Sequence, residues 1–227
     1  MLPHLLECRR RLLQIFACFV ILFAVFFFIA PNLFHTIVYP LLKVLPANDS
    51  LIATQVTTPL FTPIKLAVDA ALLSTAPFAL VHVWIFASPG LYQRERQHLC
   101  WAIISSLLLF ILGLLFGFYL VLPYMFSFFA RAVPVGVRLM PDMGMAVDFI
   151  TRMLLIFGLC FQVPLVCLLL VRLKWVSIAT LKMIRPYVIV GAFTVGMLLT
   201  PPDVLSQVML AVPLCLLYEA GIFFADL

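Results

Sequence analysis

The sequence predicts an all-α polytopic membrane protein with six transmembrane helices. Three observations predict it. Hydrophobic residues make up 66% of the 227 residues and charged residues 10%, whereas a soluble domain is about 45–50% apolar and about 25% charged. The apolar residues fall in runs that match the roughly 20 helical residues a bilayer crossing needs. Between the runs, the loops alternate between rich and poor in Arg and Lys. This balance excludes a soluble enzyme, a disordered chain and a disulfide-stapled secreted domain, because a globule of this size cannot hide so much apolar surface. The net charge of +5 is what orienting loops supply, so it is no sign of nucleic-acid binding. Cys8, Cys18, Cys100, Cys160, Cys167 and Cys215 are irregularly spaced and form no CxxC, so neither a zinc site nor a disulfide framework is indicated.

The predicted spans are 12–30, 66–88, 101–125, 150–171, 187–201 and 204–220, within one integral domain of residues 1–227. The first follows Arg9-Arg10-Arg11 and stops before Pro31-Asn32; its length and the lack of a small-x-small site set it apart from a cleavable signal. The second is entered near Pro63, and the third lies in an uncharged run longer than one crossing needs. The fourth contains Gln162 and Pro164. The last two are short, either two thin spans or one re-entrant hairpin. The compact Pro201-Pro202-Asp203 tip favours two spans, with Asp203 as the N-cap of the sixth. Residues 40–45 read as a short amphipathic helix at the interface. Lys65 with Asp69, and Asp148 with Arg152, are i,i+4 pairs that lower the cost of charge near the membrane.

Arg9, Arg10 and Arg11, then Arg94 and Arg96, then Arg172, Lys174, Lys182 and Arg185 share one side if the spans are six. The other side carries Lys43, Arg131 and Arg138. The richer side is cytoplasmic, which puts both termini in the cytoplasm.

In so apolar a chain, the ionisable groups near the membrane carry the functional information. Glu7 is four residues from Arg11, and Glu95 lies between Arg94 and Arg96; each reads by itself as local neutralisation. Together they place two carboxylates at the cytoplasmic face on different elements. Such a pair suits a ligand with guanidinium groups, since a carboxylate accepts arginine's two-pronged fork and lysine has none. Gln162, beside a proline that frees a backbone carbonyl, is either interhelical glue or a polar spot in a membrane-facing groove. Glu219, at the end of the last span, reaches headgroup water or a partner. His4, His35, His82 and His98 are scattered, and there is no HExxH, GxSxG or Gly-rich phosphate loop. No catalytic constellation, metal site or cofactor site is expected.

Five motifs occur in order: His4-Leu5-Leu6-Glu7-Cys8-Arg9-Arg10-Arg11; Phe61-Thr62-Pro63-Ile64-Lys65; Trp84-Ile85-Phe86 through Pro89-Gly90-Leu91-Tyr92 to Glu95-Arg96; Phe161-Gln162-Val163-Pro164; and Arg185-Pro186-Tyr187 through Gly191, Gly196 and Met197 to Thr200-Pro201-Pro202-Asp203. In these the sequence strongly resembles the TatC family, the multi-spanning subunit of the twin-arginine protein translocase. The resemblance implies a cupped arrangement of the six helices with both termini cytoplasmic, and no enzyme activity. It implies a signal-peptide-binding patch of Glu7 and Glu95 with Arg9, Phe86 and Arg96, and a membrane groove faced by Gln162. Family members often have Glu at the Gln162 position; Gln keeps polarity and removes titration, so a proton-relay role does not carry over. Lys65, Asp203 and Gln207 at the outer ends are candidates for structure or assembly, and Glu219 for a partner contact. The implied partners are twin-arginine signal peptides of folded cargo and TatA-like and TatB-like single-span subunits. Together they form an oligomeric complex in the lipid bilayer, driven by the proton-motive force. A small-solute transporter, with a midplane site at Gln162 and Pro164, is the competing class; the lack of an inverted repeat and of acidic residues in the spans counts against it.

Overall fold

The computed structural model describes residues 2–44, 50–87, 96–134, 137–199 and 204–226. The order is α1 (Leu2–Leu42), α2 (Thr58–Ala87), α3 (Arg96–Phe116), a π-turn (Gly117–Val121), α4 (Leu122–Ala132), α5 (Met143–Cys160), α6 (Val163–Arg172), α7 (Ile178–Leu199) and α8 (Val204–Asp226). Among the described residues, six helical stretches are long and apolar enough to cross a membrane, as the sequence predicts. Among the described residues there is no strand, only an isolated bridge between Ile52 and Asp142. The chain packs as two compact units: Met1–Leu107 with Val133–Thr151, and Leu108–Ala132 with Arg152–Leu227.

In the first unit, α1 corrects two expectations. It does not stop at 30, and residues 40–45 are not a separate interfacial helix: one helix runs through Pro31 and Pro40 to Leu42. Each proline costs a backbone bond, but a helix that is packed or embedded loses more by unwinding, since an irregular backbone in lipid has no other partners. The far end of α1 is packed, with Ala30, Val38 and Leu41 buried. In α2, Leu66, Ala67, Ala70 and Ala71 form a buried stripe whose small side chains let a neighbouring helix approach closely. Lys65 forms an ion pair across to Asp148 on α5, and the Thr151 hydroxyl donates to Asp69 Oδ2 at 2.7 Å. The two charges therefore meet between helices, where the i,i+4 reading had paired Lys65 with Asp69.

Asp142 begins α5 seven residues before the predicted start of the fourth span. Its Oδ1 accepts from the backbone N–H of Gly144 at 2.9 Å and Met145 at 3.0 Å, as an N-cap does. Its Oδ2 accepts from Thr54 N at 2.9 Å and Thr54 Oγ1 at 2.7 Å. Ile52 N donates to Pro141 O at 3.1 Å and Met143 N to Ile52 O at 2.9 Å, so one carboxylate and two backbone bonds tie the two loops. The Thr54 hydroxyl, then the backbone donors, hold its pKa down to about 2 from 3.8. Asp142→Ala is expected to lower unfolding stability by about 1–2 kcal/mol at neutral pH. Because the folded-state value is the lower one, this contribution is complete above 3.8 and is lost as pH falls through about 2. Thermal unfolding of both proteins across that range should show the gap closing.

In the second unit, the third span is not one regular helix. Leu122 N donates to Gly117 O, five residues back, just before Pro123, which cannot donate at all. The π-turn re-registers the ladder at the point where the proline interrupts it. Gly113 and Gly158 mark a tight helix crossing. A Cβ at Gly113 would lie 2.6 Å from Phe157 O, and one at Gly158 would lie 2.7 Å from the Phe110 ring. Both phenylalanines are fully buried.

The fourth span breaks at Phe161-Gln162 because Pro164 lies in the first turn of α6 and has no N–H to continue the ladder. Here Gln162 N turns back to Leu159 O at 2.9 Å. The helices at the last two spans are not short: α7 has 22 residues and α8 has 23. The missed signal is Ser177, whose Oγ accepts from Thr180 N at 3.1 Å and starts α7 nine residues before the expected point. The charges that hid this start are neutralised by α8: Lys182 pairs with Asp226 and Arg185 with Glu219. The expected N-cap Asp203 lies outside the described residues. At the buried α6–α8 contact, a Cβ on Gly221 would lie 2.9 Å from Pro164 Cα. Nearby, the Tyr218 hydroxyl donates to Leu181 O at 2.9 Å within a cluster of Cys167, Leu181 and Ile222.

At the end of α6, Lys174 has φ 56°. Trp175 N donates to Leu170 O at 3.1 Å and Lys174 N to Val171 O at 2.9 Å, the bonding of a Schellman C-cap. A left-handed residue with a Cβ costs roughly 1–2 kcal/mol, partly offset by glycine's greater unfolded-state freedom. Lys174→Gly is therefore expected to stabilise the protein by about 0.5–1 kcal/mol, read as a raised unfolding midpoint.

Candidate functional site

The predicted acidic patch begins on the first two turns of α1. Arg11 Nε donates to Glu7 Oε1 at 3.1 Å, and a second guanidinium nitrogen contacts the same oxygen. The i,i+4 pair expected from spacing is thus formed. Arg9 and Arg10 are exposed and make no ion pair among the described residues. At about 100° per residue, Arg9 sits about 160° around the helix from Glu7.

Glu95 lies outside the described residues. The backbones of Phe86 and Arg96 are the penultimate residue of α2 and the first of α3, and their side chains also lie outside the description. The first unit nevertheless fixes where these elements end. Gln14, Ala17 and Cys18 of α1 share a trough with Phe78 and His82 of α2. The amino end of α1 therefore lies beside the carboxyl end of α2, the end from which the chain leads to Glu95.

The other predicted residues are held within the fold. Gln162, expected on a groove, is buried at 8% exposure at the α5–α6 break. Lys65 is engaged by Asp148. Gln207 packs against α7 at Gly196, where an added Cβ would meet Gln207 O at 3.4 Å. Glu219 Oε2 accepts from Arg185 Nη2 at 2.7 Å, so its first role is to neutralise an arginine inside the α7–α8 pair. Among the described residues no cluster of His, Cys, Asp or Glu is arranged to hold a metal ion.

The family model "Sec-independent protein translocase protein (TatC)" matches residues 3–213. The chain belongs to the TatC family. It is 42% identical over 228 residues to the Sec-independent protein translocase protein TatC of Haemophilus influenzae, covering 99% of this chain and 88% of the relative. It is 41% identical over 225 residues to the TatC of Escherichia coli K12, covering 99% and 87%. A crystal structure of the twin-arginine translocase receptor TatC superposes with a TM-score of 0.89 at 32% identity, over 98% of both chains. A TatC chain is a multi-pass component of a protein translocase in the bacterial inner membrane, a transport subunit and not an enzyme. The TatC membership gives the cross-helix ion pairs a plain purpose: they neutralise charge on a scaffold that spans lipid. The sequence reading missed Asp142 and the trough shared by Gln14 and His82. An Asp two residues before Gly at the start of an apolar run was the available signal for the first.

Proposed function

We propose that this chain is the receptor and core subunit of a twin-arginine translocase. It binds the twin-arginine signal peptides of folded precursors at the cytoplasmic face, where both termini lie. It exports them with TatA-like and TatB-like single-span subunits at the expense of the proton-motive force. The observation that carries the reading is the likeness, over 98% of both chains, to a solved twin-arginine translocase receptor.

The chemistry supports it. Glu7 and Glu95 each offer a carboxylate to one arginine of the leader, and the two-pronged geometry rejects lysine. Glu7 already receives the Arg11 guanidinium, so the local structure orients this carboxylate for that kind of partner. An incoming arginine shares or displaces Arg11. Arg96 follows Glu95 directly, Phe86 precedes it by nine residues, and both complete the patch. Arg9 carries the ligand's own sign on another face of α1, so it acts on the patch without gripping a guanidinium. The apolar part of the leader then gains from burial along the spans. Lys65, Asp203 and Gln207 hold the outer ends for assembly, Glu219 steadies α7 against α8 where a partner docks, and Gln162 keeps a polar position beside the groove.

Crosslinking of a twin-arginine precursor to membranes holding Glu7→Ala, Glu95→Ala or both tests this. The double variant is expected to lose the crosslink and export together. A double variant that crosslinks and exports like wild type overturns the assignment.

A further inference from the structure

Two depressions on the first unit join into one track. The first, about 430 Å³, is lined by Leu6, Arg9, Arg10, Leu13, Gln14 and Ala17. The second, about 630 Å³, lies between α1 and α2 and is lined by Gln14, Ala17, Ile21, Leu22, Phe78 and His82 among others. Gln14 and Ala17 belong to both. The track starts at two exposed arginines that make no ion pair among the described residues and continues over apolar side chains, in the order of a phospholipid: charge, then hydrocarbon.

We propose that this track is a binding site for an anionic phospholipid of the phosphatidylglycerol class. Arg9 and Arg10 take the phosphate, Gln14 donates to a glycerol-ester carbonyl, and an acyl chain runs over Ala17 to Ile21, Leu22 and Phe78. The dimensions agree. Leu13 to Leu22 is nine residues, about 14 Å at about 1.5 Å per residue, close to the half-thickness of a hydrocarbon core of about 30 Å. Arginine forks match phosphate oxygens as they match carboxylates. Charge decides among the occupants. Arg9 and Arg10 favour an anionic headgroup over a zwitterionic one. A second copy seated here would set the same two arginines against their own images. Arg11 does not join the site because Glu7 holds it. A lipid here would also pin the amino end of α1, and with it Glu7.

The test is native mass spectrometry of the purified full chain in detergent, with dioleoyl phosphatidylglycerol and dioleoyl phosphatidylcholine as probes. Wild type is expected to retain the anionic lipid about tenfold more strongly, as two basic residues at a headgroup allow. Arg9→Gln with Arg10→Gln abolishes that preference, while Arg9→Lys with Arg10→Lys keeps most of it. Ala17→Trp blocks the apolar part of the track and lowers retention with both arginines in place. Arg172→Gln with Lys174→Gln, on other elements, leaves retention unchanged. Equal retention of the two lipids by wild type overturns the proposal. So does an equal loss in the Arg172/Lys174 pair, or a protein dimer in place of the bound lipid. Arg9 belongs to the proposed signal-peptide patch, so Arg10→Gln alone, which leaves Glu7, Arg9 and Glu95 in place and is expected to lose part of the preference, together with Ala17→Trp separates lipid retention from signal-peptide binding.

Discussion

Gly113→Ala is expected to destabilise the protein by about 2–3 kcal/mol or more, whereas Gly191→Ala leaves stability unchanged or raises it by up to about 1 kcal/mol. Both changes put the same methyl group into a helix, and alanine is the better helix former at each. What differs is the surroundings. The Gly113 methyl would lie 2.6 Å from Phe157 O and 3.0 Å from the Phe161 Cβ, a backbone and a side-chain root that cannot swing aside. The crossing must spread, and fully buried Phe110 and Phe157 lose contacts as it does. At Gly191 nothing lies within 4 Å. Thermal unfolding in one detergent reads the pair. Equal shifts of the same sign would mean that the 108–132 segment does not cross α5 in the way described. Gly158→Ala should fall between the two, because the atom in its way is the edge of the Phe110 ring, 2.7 Å off, and a ring can rotate where a carbonyl cannot.

A leader with one arginine replaced by lysine is expected to bind about tenfold more weakly, and one with both replaced about a hundredfold. A charge-assisted hydrogen bond contributes about 1.5–3 kcal/mol, and lysine keeps the charge but loses the second prong of the fork. The effect should shrink at high salt, since carboxylates at a membrane surface are screened over about 8 Å at physiological ionic strength. Equilibrium binding of fluorescent leader peptides to the reconstituted protein measures both trends. A lysine leader that binds as tightly as the arginine leader would mean that the site reads charge alone.

The class of fold and the number of crossings are legible in the sequence because the bilayer enforces them: an apolar run of sufficient length has almost no other stable form. The ends of the helices are less legible. Proline and charge read as stop signals, yet α1 runs through Pro31 and Pro40, and α7 starts before Lys182 and Arg185. In each case tertiary partners override the local rule, as the α8 carboxylates do for the α7 cations. The site is legible by motif more than by geometry. Glu7 with Arg11 follows from spacing, while the Lys65–Asp148 pair joins positions 83 apart and leaves no local trace. Gln162 announced itself as a polar residue beside a proline, and the helix break it occupies is the direct result of that proline.

In the proposed function, Glu7 and Glu95 distinguish an arginine pair from any other pair of positive charges. A double-mutant cycle tests it directly, with leaders carrying two arginines or two lysines binding to wild type and to Glu7→Gln with Glu95→Gln. Wild type is expected to separate the two leaders about a hundredfold, and the double variant to bind them equally weakly. A double variant that still prefers the arginine leader by the wild-type factor would contradict it.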